Sequence, residues 1–327
     1  MTQQRPPIDL RVSLDHVARG GIPLRAQERL AEEAGPYRRL FTSDLSVNEF
    51  LLSRDARCEP ISQVMGSSIF HVGQIADYKG ETGEIKVISD AHRTARQRAV
   101  SRLYQEAAYV GADAVIGARL RERMITMGKR GKGGDDGGEV LEFTVVGTAV
   151  RAPWMVHPRG QPIITDLSGQ DLWALAQEGY EPCGFLFEFC RYHVWHATTS
   201  SARHGELDSA NEAVIRARSI AARNITRQAQ TFQAEFVVGS DITLTVKEVP
   251  CGFNECDRND LDVDVSWFGT AVRRVPQAAR RIHADVPQLI LSMTPLGRGK
   301  DVTIEAGDDE NDVEQAARDA EEDAADG

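Results

Sequence analysis

The chain has 327 residues, 41% of them hydrophobic and 27% charged, with a formal net charge of −11. That length suits two domains better than one core, and the composition is that of a globular protein. Glu305–Gly327 hold eleven acidic residues and one basic residue, Arg318, so the body sums to about −1, a balance that argues against a nucleic-acid-binding body.

The N-terminal stretch MTQQRPPIDL is polar and Pro-rich and lacks the apolar segment of a signal peptide. No run approaches the roughly 20 apolar residues that span a bilayer. Five cysteines at irregular spacing do not make a disulfide framework. The expected location is therefore cytoplasmic, with reduced thiols and no membrane partner. Residues 1–40 are expected to form a helical extension, with a helix over Ile22–Leu30.

The string GTAVR stands at Gly147–Arg151 and again at Gly269–Arg273. Slid against itself by 122 positions, the chain matches without a gap from Phe41–Arg151 onto Ile163–Arg273, with 23 identities in 111 positions. Unrelated sequences would give roughly a quarter of that. The chain thus reads as two copies of one domain, 41–151 and 163–273, joined by a stiff Pro-containing linker at 152–162.

Each copy presents its elements in the same order. A short helix comes first, announced by the capping box Ser46-Val47-Asn48-Glu49 and by its weaker twin Ser168-Gly169-Gln170-Asp171. An extended apolar stretch follows Pro60 and Pro182. A long helix is expected over Asp90–Val110 and Glu212–Phe232. Its repeated positions, Ala91, Ala95, Ala99, Leu103, Ala107 and Ala213, Ala217, Ala221, Ile225, Ala229, form an oblique stripe of mostly small residues. Such a stripe lets a helix lie close on a sheet. Gly111 suits the helix C′ position. Two strands close each copy, and GTAVR ends the last one. Its glycine is expected at a close backbone approach or a bulge. The fold class is α+β: two tandem β-α-β-β units, each with a leading short helix. Residues 274–304 form an extension with a strand in PQLILSM, and 305–327 a disordered acidic tail. The tail reads as a solubilising segment or as a dock for a basic partner.

The residues Ala95-Arg96, Ala99, Arg102, Glu106-Ala107, Gly111-Ala112-Asp113-Ala114-Val115-Ile116-Gly117 and Gly147-Thr148-Ala149-Val150 resemble the YbjQ-like family, which is labelled as heavy-metal-binding. The resemblance covers both copies. It implies a dodecin-like fold and assembly as a homo-oligomer, with a pentamer-based ring favoured. The second copy departs from the pattern: Arg102, Glu106, Gly111 and Asp113 become Asn224, Gln228, Gln233 and Glu235.

Candidate sites follow from residue chemistry. Cys190-x-x-His193-x-x-His196 supplies soft and borderline ligands for a divalent transition metal. On a strand, however, His193 points away from the other two. Cys251 and Cys256 sit in an expected hairpin loop. No cysteine recurs between the copies, so these read as structural thiols unless they converge. His71 and His193 form a repeated pair that could meet around a ring axis. Glu84 and Arg96, with their counterparts Glu206 and Arg218, offer an ion pair or an anion clamp at an interface. Gly128–Gly138 lacks the Gly-Lys-Ser/Thr ending of a phosphate loop and reads as a hairpin loop. No catalytic constellation emerges. The sequence favours a non-enzymatic assembly module that binds a small ligand or partner at subunit interfaces. A metal-binding or metal-sensing protein is the first alternative, and an enzyme of unidentified reaction the second.

Overall fold

The computed structural model describes residues 9–35, 42–43, 45–72, 81–126, 139–155, 161–199, 208–249 and 258–275. These hold six helices and two four-stranded sheets. The N-terminal extension carries two helices where the sequence suggested one: α1 (Leu10–Ala18), capped by Asp9, and α2 (Leu24–Ala34).

The first half then runs α3 (Val47–Asp55), β1 (Glu59–His71), β2 (Gly83–Glu84), α4 (Lys86–Tyr109), β3 (Ala114–Thr126) and β4 (Glu139–Arg151). The second half runs β5 (Ile163–Ile164), α5 (Gly169–Gln177), β6 (Tyr180–Thr199), α6 (Asp208–Thr231), β7 (Phe236–Val249) and β8 (Arg258–Arg274). Both expected capping boxes form, at Ser46–Glu49 and Ser168–Asp171. The long helices start one turn earlier than expected. The glycine-rich loop at 128–138, the middle of the linker, most of the 274–304 extension, Cys251, Cys256 and the acidic tail lie outside the described residues.

The sheet orders are β1-β4-β3-β5 and β2-β6-β8-β7. The long strands pair antiparallel in both, and each sheet is irregular at matching places. Register shifts fall between Pro60 and Ser62 and between Pro182 and Gly184, 122 positions apart. A second pair falls between Ile116 and Arg119 and between Val238 and Asp241. The left-handed glycines Gly117 and Gly239, each at φ +62, allow those second bulges.

GTAVR is the strand that passes these bulges. A Cβ on Gly147 would lie 2.6 Å from Val115 Cγ1, and one on Gly269 would lie 3.0 Å from Val237 Cγ1. Only glycine fits both without displacing a neighbour. The threonine that follows anchors the segment ahead of the short helix. Thr148 Oγ1 lies 3.1 Å from Ser43 Oγ, and Thr270 Oγ1 lies 2.8 Å from Thr165 Oγ1. Ser43 and Thr165 in turn accept the backbone N–H of Leu45 and Leu167. The repeated string is therefore a packing device.

Helix α4 lies on the first sheet through its small residues. Ala95, Ala99, Leu103 and Ala107 are fully buried, and a Cβ on Gly66 of β1 would overlap the Ala99 carbonyl. Helix α6 covers the second sheet with Ala213, Ala217, Ala221 and Ile225.

Candidate functional site at the junction of the halves

The two short strands cross between the halves. β2, from the first half, extends the second sheet by pairing Gly83 with His193 and Glu84 with Tyr192 of β6. β5, from the second half, extends the first sheet by pairing in parallel with Ala114 and Val115 of β3. The exchange continues past the strands. Gly117 N–H donates to Leu167 O and Ala118 N–H to Thr165 O, both at 2.9 Å. Two-residue strands of this kind carry no signal of their own in the sequence. They form because an open edge presents unpaired N–H and C=O groups.

The start of α4 caps the rest of the β6 edge. Ile85 N–H donates to Arg191 O at 2.9 Å, Arg191 N–H to Ser89 Oγ at 3.2 Å, and Arg96 Nη1 to Glu188 O at 3.0 Å. Arg96 and His92 are fully buried there. Arg96 also pairs with Glu122 of β3 and donates to Ser266 Oγ of β8 at 2.6 Å. Its guanidinium lies 5.2 Å from the Phe143 ring and 5.4 Å from the Phe189 ring. His92 stacks on Phe189 with ring centroids 3.6 Å apart, and its Nδ1 lies 2.7 Å from Glu122 Oε1. Burial lowers the His92 pKa and outweighs the pull of Glu122, so the imidazole is held neutral. Burial would raise Glu122, but the charge of Arg96 and the contact with His92 bring it down to about 2. Beside this cluster Arg93 binds Glu188 and Glu84, and Arg191 grips Asp264 through two bonds of 2.6 and 2.7 Å. Each of these buried charges has an opposite partner, which is the condition for tolerating it there.

The other end of the junction is apolar. Helix α5 packs Leu172, Trp173 and Ala176 against Ala56, Cys58 and Ile116 of the first half and Trp154 of the linker. Trp154 donates its indole N–H to Ala56 O at 3.2 Å, and its ring meets that of Trp173 edge-on at 6.1 Å. Burial pushes the Cys58 thiol up to about 12, so it is an inert core residue.

Several residues singled out from the sequence fall at this junction, with different partners. The expected Glu84–Arg96 pair does not form. Glu84, on β2, is drawn to the β6 edge and meets Arg93 at 3.0 Å, whereas Arg96, one turn along α4, faces Glu122. His193 lies between Asp262 (2.8 Å) and Asp260 (3.5 Å), and its hydrogen bond to Asp262 raises its pKa. His71 is exposed on β1, Arg218 is exposed on α6, and Glu206 lies outside the described residues. His92, Glu122, Phe189 and Ser266 were not legible as a site. Only Arg96 among the junction cluster recurs between the copies.

The family-pattern residues also have structural tasks. Arg102 donates to Ser67 O, Glu106 accepts Met65 N–H at 2.9 Å, and Asp113 accepts Ala152 N–H at 2.9 Å. Gln228 repeats the Glu106 bond by accepting Phe187 N–H at 3.4 Å, and Gln233 adopts the same positive φ as Gly111. Two of the four departures in the second copy therefore keep the backbone feature of the first.

The described residues do not fit a metal centre. Cys190 faces the core under α6, where burial raises its thiol to about 12, while His193 points to the opposite face. The His193 ring is instead engaged by Asp262 and Asp260. Among the described residues no group of three His, Cys, Asp or Glu converges as a metal site. The side chain of His196 lies outside them, as do Cys251 and Cys256. No described helix is long and apolar enough to cross a membrane.

The fold and the junction define a mixed α+β protein with two sheets that complete each other's edges. Residues 62–153 match the YbjQ-like family, whose description is "Putative heavy-metal-binding". That matched segment contains no cysteine and two histidines, His71 and His92. Over 258 residues the chain is 33% identical to the encapsulin nanocompartment protein Rv1762c of Mycobacterium tuberculosis, an alignment covering 76% of this chain and 90% of that protein. The chain belongs to the YbjQ-like family and is a relative of that mycobacterial protein. No solved structure gives a significant match.

Proposed function

We propose that this protein is a non-enzymatic building block of a protein compartment, forming a ring- or shell-like homo-oligomer from tandem dodecin-like domains at 41–151 and 163–273. The relative's name, an encapsulin nanocompartment protein, supports the setting. The observation that carries the reading is the reciprocal exchange at the junction, where β2 completes one sheet and β5 the other. That contact is head-to-tail, and head-to-tail contacts repeat into rings or open chains. A half-open cleft of about 470 Å³ at the same junction, lined by Val100, Tyr104, Ile163, Phe185 and Arg273, is the place for a small ligand. The acidic tail serves as a solubilising segment or as a dock for a basic partner. The site of action is the cytoplasm.

Native mass spectrometry of the full chain, before and after a chelator, tests this reading. A closed multimer, with five chains the favoured number, whose mass the chelator leaves unchanged is the expected result. A monomer would overturn the assembly. A stoichiometric adduct removed by the chelator would replace it with the metal-binding alternative.

A further inference from the structure

The contact between the halves uses two unlike surfaces. The first half offers α4 and the β3 edge. The second half offers the β6 edge with its outer face, and α5. Each half has the counterpart of both, so one of each stays open: α6 and the β7 edge at one end of the chain, β1 and α3 at the other. Side-chain exposure follows this division. Ser89, His92 and Arg96 are buried on α4, whereas the matching Asn211 and Arg218 of α6 are exposed and Val214 is half-buried.

The open surfaces are also apolar where solvent would favour polar residues. Ile69 is 75% exposed, yet its counterpart Arg191 is buried at the junction. Val47 (75%) and Leu51 (52%) on α3 match Gly169 and Trp173 on α5, both buried. Ile215 is 65% exposed and matches Arg93, and Phe236 is 36% exposed and matches the fully buried Ala114. Ionic pairs of the junction are not kept at the matching open positions. The Arg93–Glu188 pair becomes Ile215 and Gly66, and the Arg191–Asp264 pair becomes Ile69 and Glu142. Helix α2 covers the start of β1, where Arg29 donates to Gln63 O, and Glu106 and Arg102 of α4 meet Met65 N–H and Ser67 O, so the open stretch is Ser68–His71.

We propose that the α6 and β7 surface of one chain docks on the β1 and α3 surface of a second copy of this chain, reproducing between chains the contact seen between the halves. This rests on the assembly reading above and names the surfaces that make it. The Asn211 side chain of one chain then caps the Ile69 backbone of the next, as Ser89 caps Arg191. Each ring alternates two contacts: a charged one inside every chain and an apolar one between chains. Alternation of this kind fixes register, because a half cannot pair with the wrong neighbour without burying an unpaired charge.

Cysteine cross-linking of the full chain tests it. Asn211→Cys with Ile69→Cys in one chain should give covalent multimers on oxidation. Each variant alone should give none beyond the wild-type background. Ile215→Glu should reduce the native mass to that of a single chain, as should Ile69→Glu, while Leu14→Glu on α1 leaves it unchanged. Far-UV circular dichroism of Ile215→Glu should match the wild type, since the residue is exposed. Multimers that survive both glutamate variants, with no cross-link in the double cysteine protein, would overturn these surfaces and leave the assembly reading standing. A monomeric wild type would overturn both.

Discussion

Helices α4 and α6 are the same length, 24 residues, and carry the same stripe of alanines, yet α4 buries ten residues and α6 four. The stripe accounts for the four that match: Ala91, Ala95, Ala99 and Leu103 on α4 correspond to those on α6. The surplus on α4 includes Ser89, His92 and Arg96, residues that meet the second half. One helix is covered on two sides and the other on one. The same holds for the short helices, where α5 buries Trp173 and α3 exposes Leu51. Two stretches of matching sequence thus stand in two environments, one covered by the other half and one left open.

Two substitution pairs sharpen that comparison. Trp173→Ala empties a site that is 1% exposed in the apolar part of the junction and is expected to cost about 3–5 kcal/mol. Leu51→Ala, at the matching position on α3, should stay within about 0.5 kcal/mol when the chain is kept dilute and single. Urea unfolding of both variants checks this, and equal losses would mean that α3 is already covered. Arg96→Ala leaves Glu122 without its cation and is expected to destabilise by about 3 kcal/mol. Arg218→Ala should leave the unfolding midpoint of the single chain near the wild-type value.

The smallest effect is in pH. Glu122 has a folded pKa of about 2 against an ordinary 4.5, so the folded state holds the charged form more strongly. Its contribution is fully present above pH 4.5 and is lost as pH falls towards 2. Glu122→Gln should be less stable than wild type at neutral pH and should lose less stability over that window. Parallel curves for the two proteins would remove Glu122 from the account.

Much of the architecture was legible in the sequence. The offset of 122, the capping serines Ser46 and Ser168, and the alanine stripes gave the order of elements, because each is a local or periodic signal. The glycine of GTAVR was readable as a close approach, since a glycine within a strand has few other uses. Strands β2 and β5 were not readable. They are two residues long and depend on an edge supplied by the other half. The partners of Arg96 were not readable either. They lie 26, 92 and 170 positions away, and no spacing rule joins them. The Glu84–Arg96 pairing failed for a related reason. Joining β6 carries Glu84 to Arg93, and only the tertiary contact decides between two arginines three residues apart.

Hydrogen exchange of the concentrated full chain and of Ile215→Glu tests the central claim most directly. The account predicts slow exchange in the wild type for the Ile69 amide of β1 and faster exchange in the variant. The matching β6 amide, that of Arg191, should exchange slowly in both, because Ser89 of its own chain caps it. Fast exchange at Ile69 in the wild type, or equally slow exchange there in both proteins, would contradict the docking of one chain on the next.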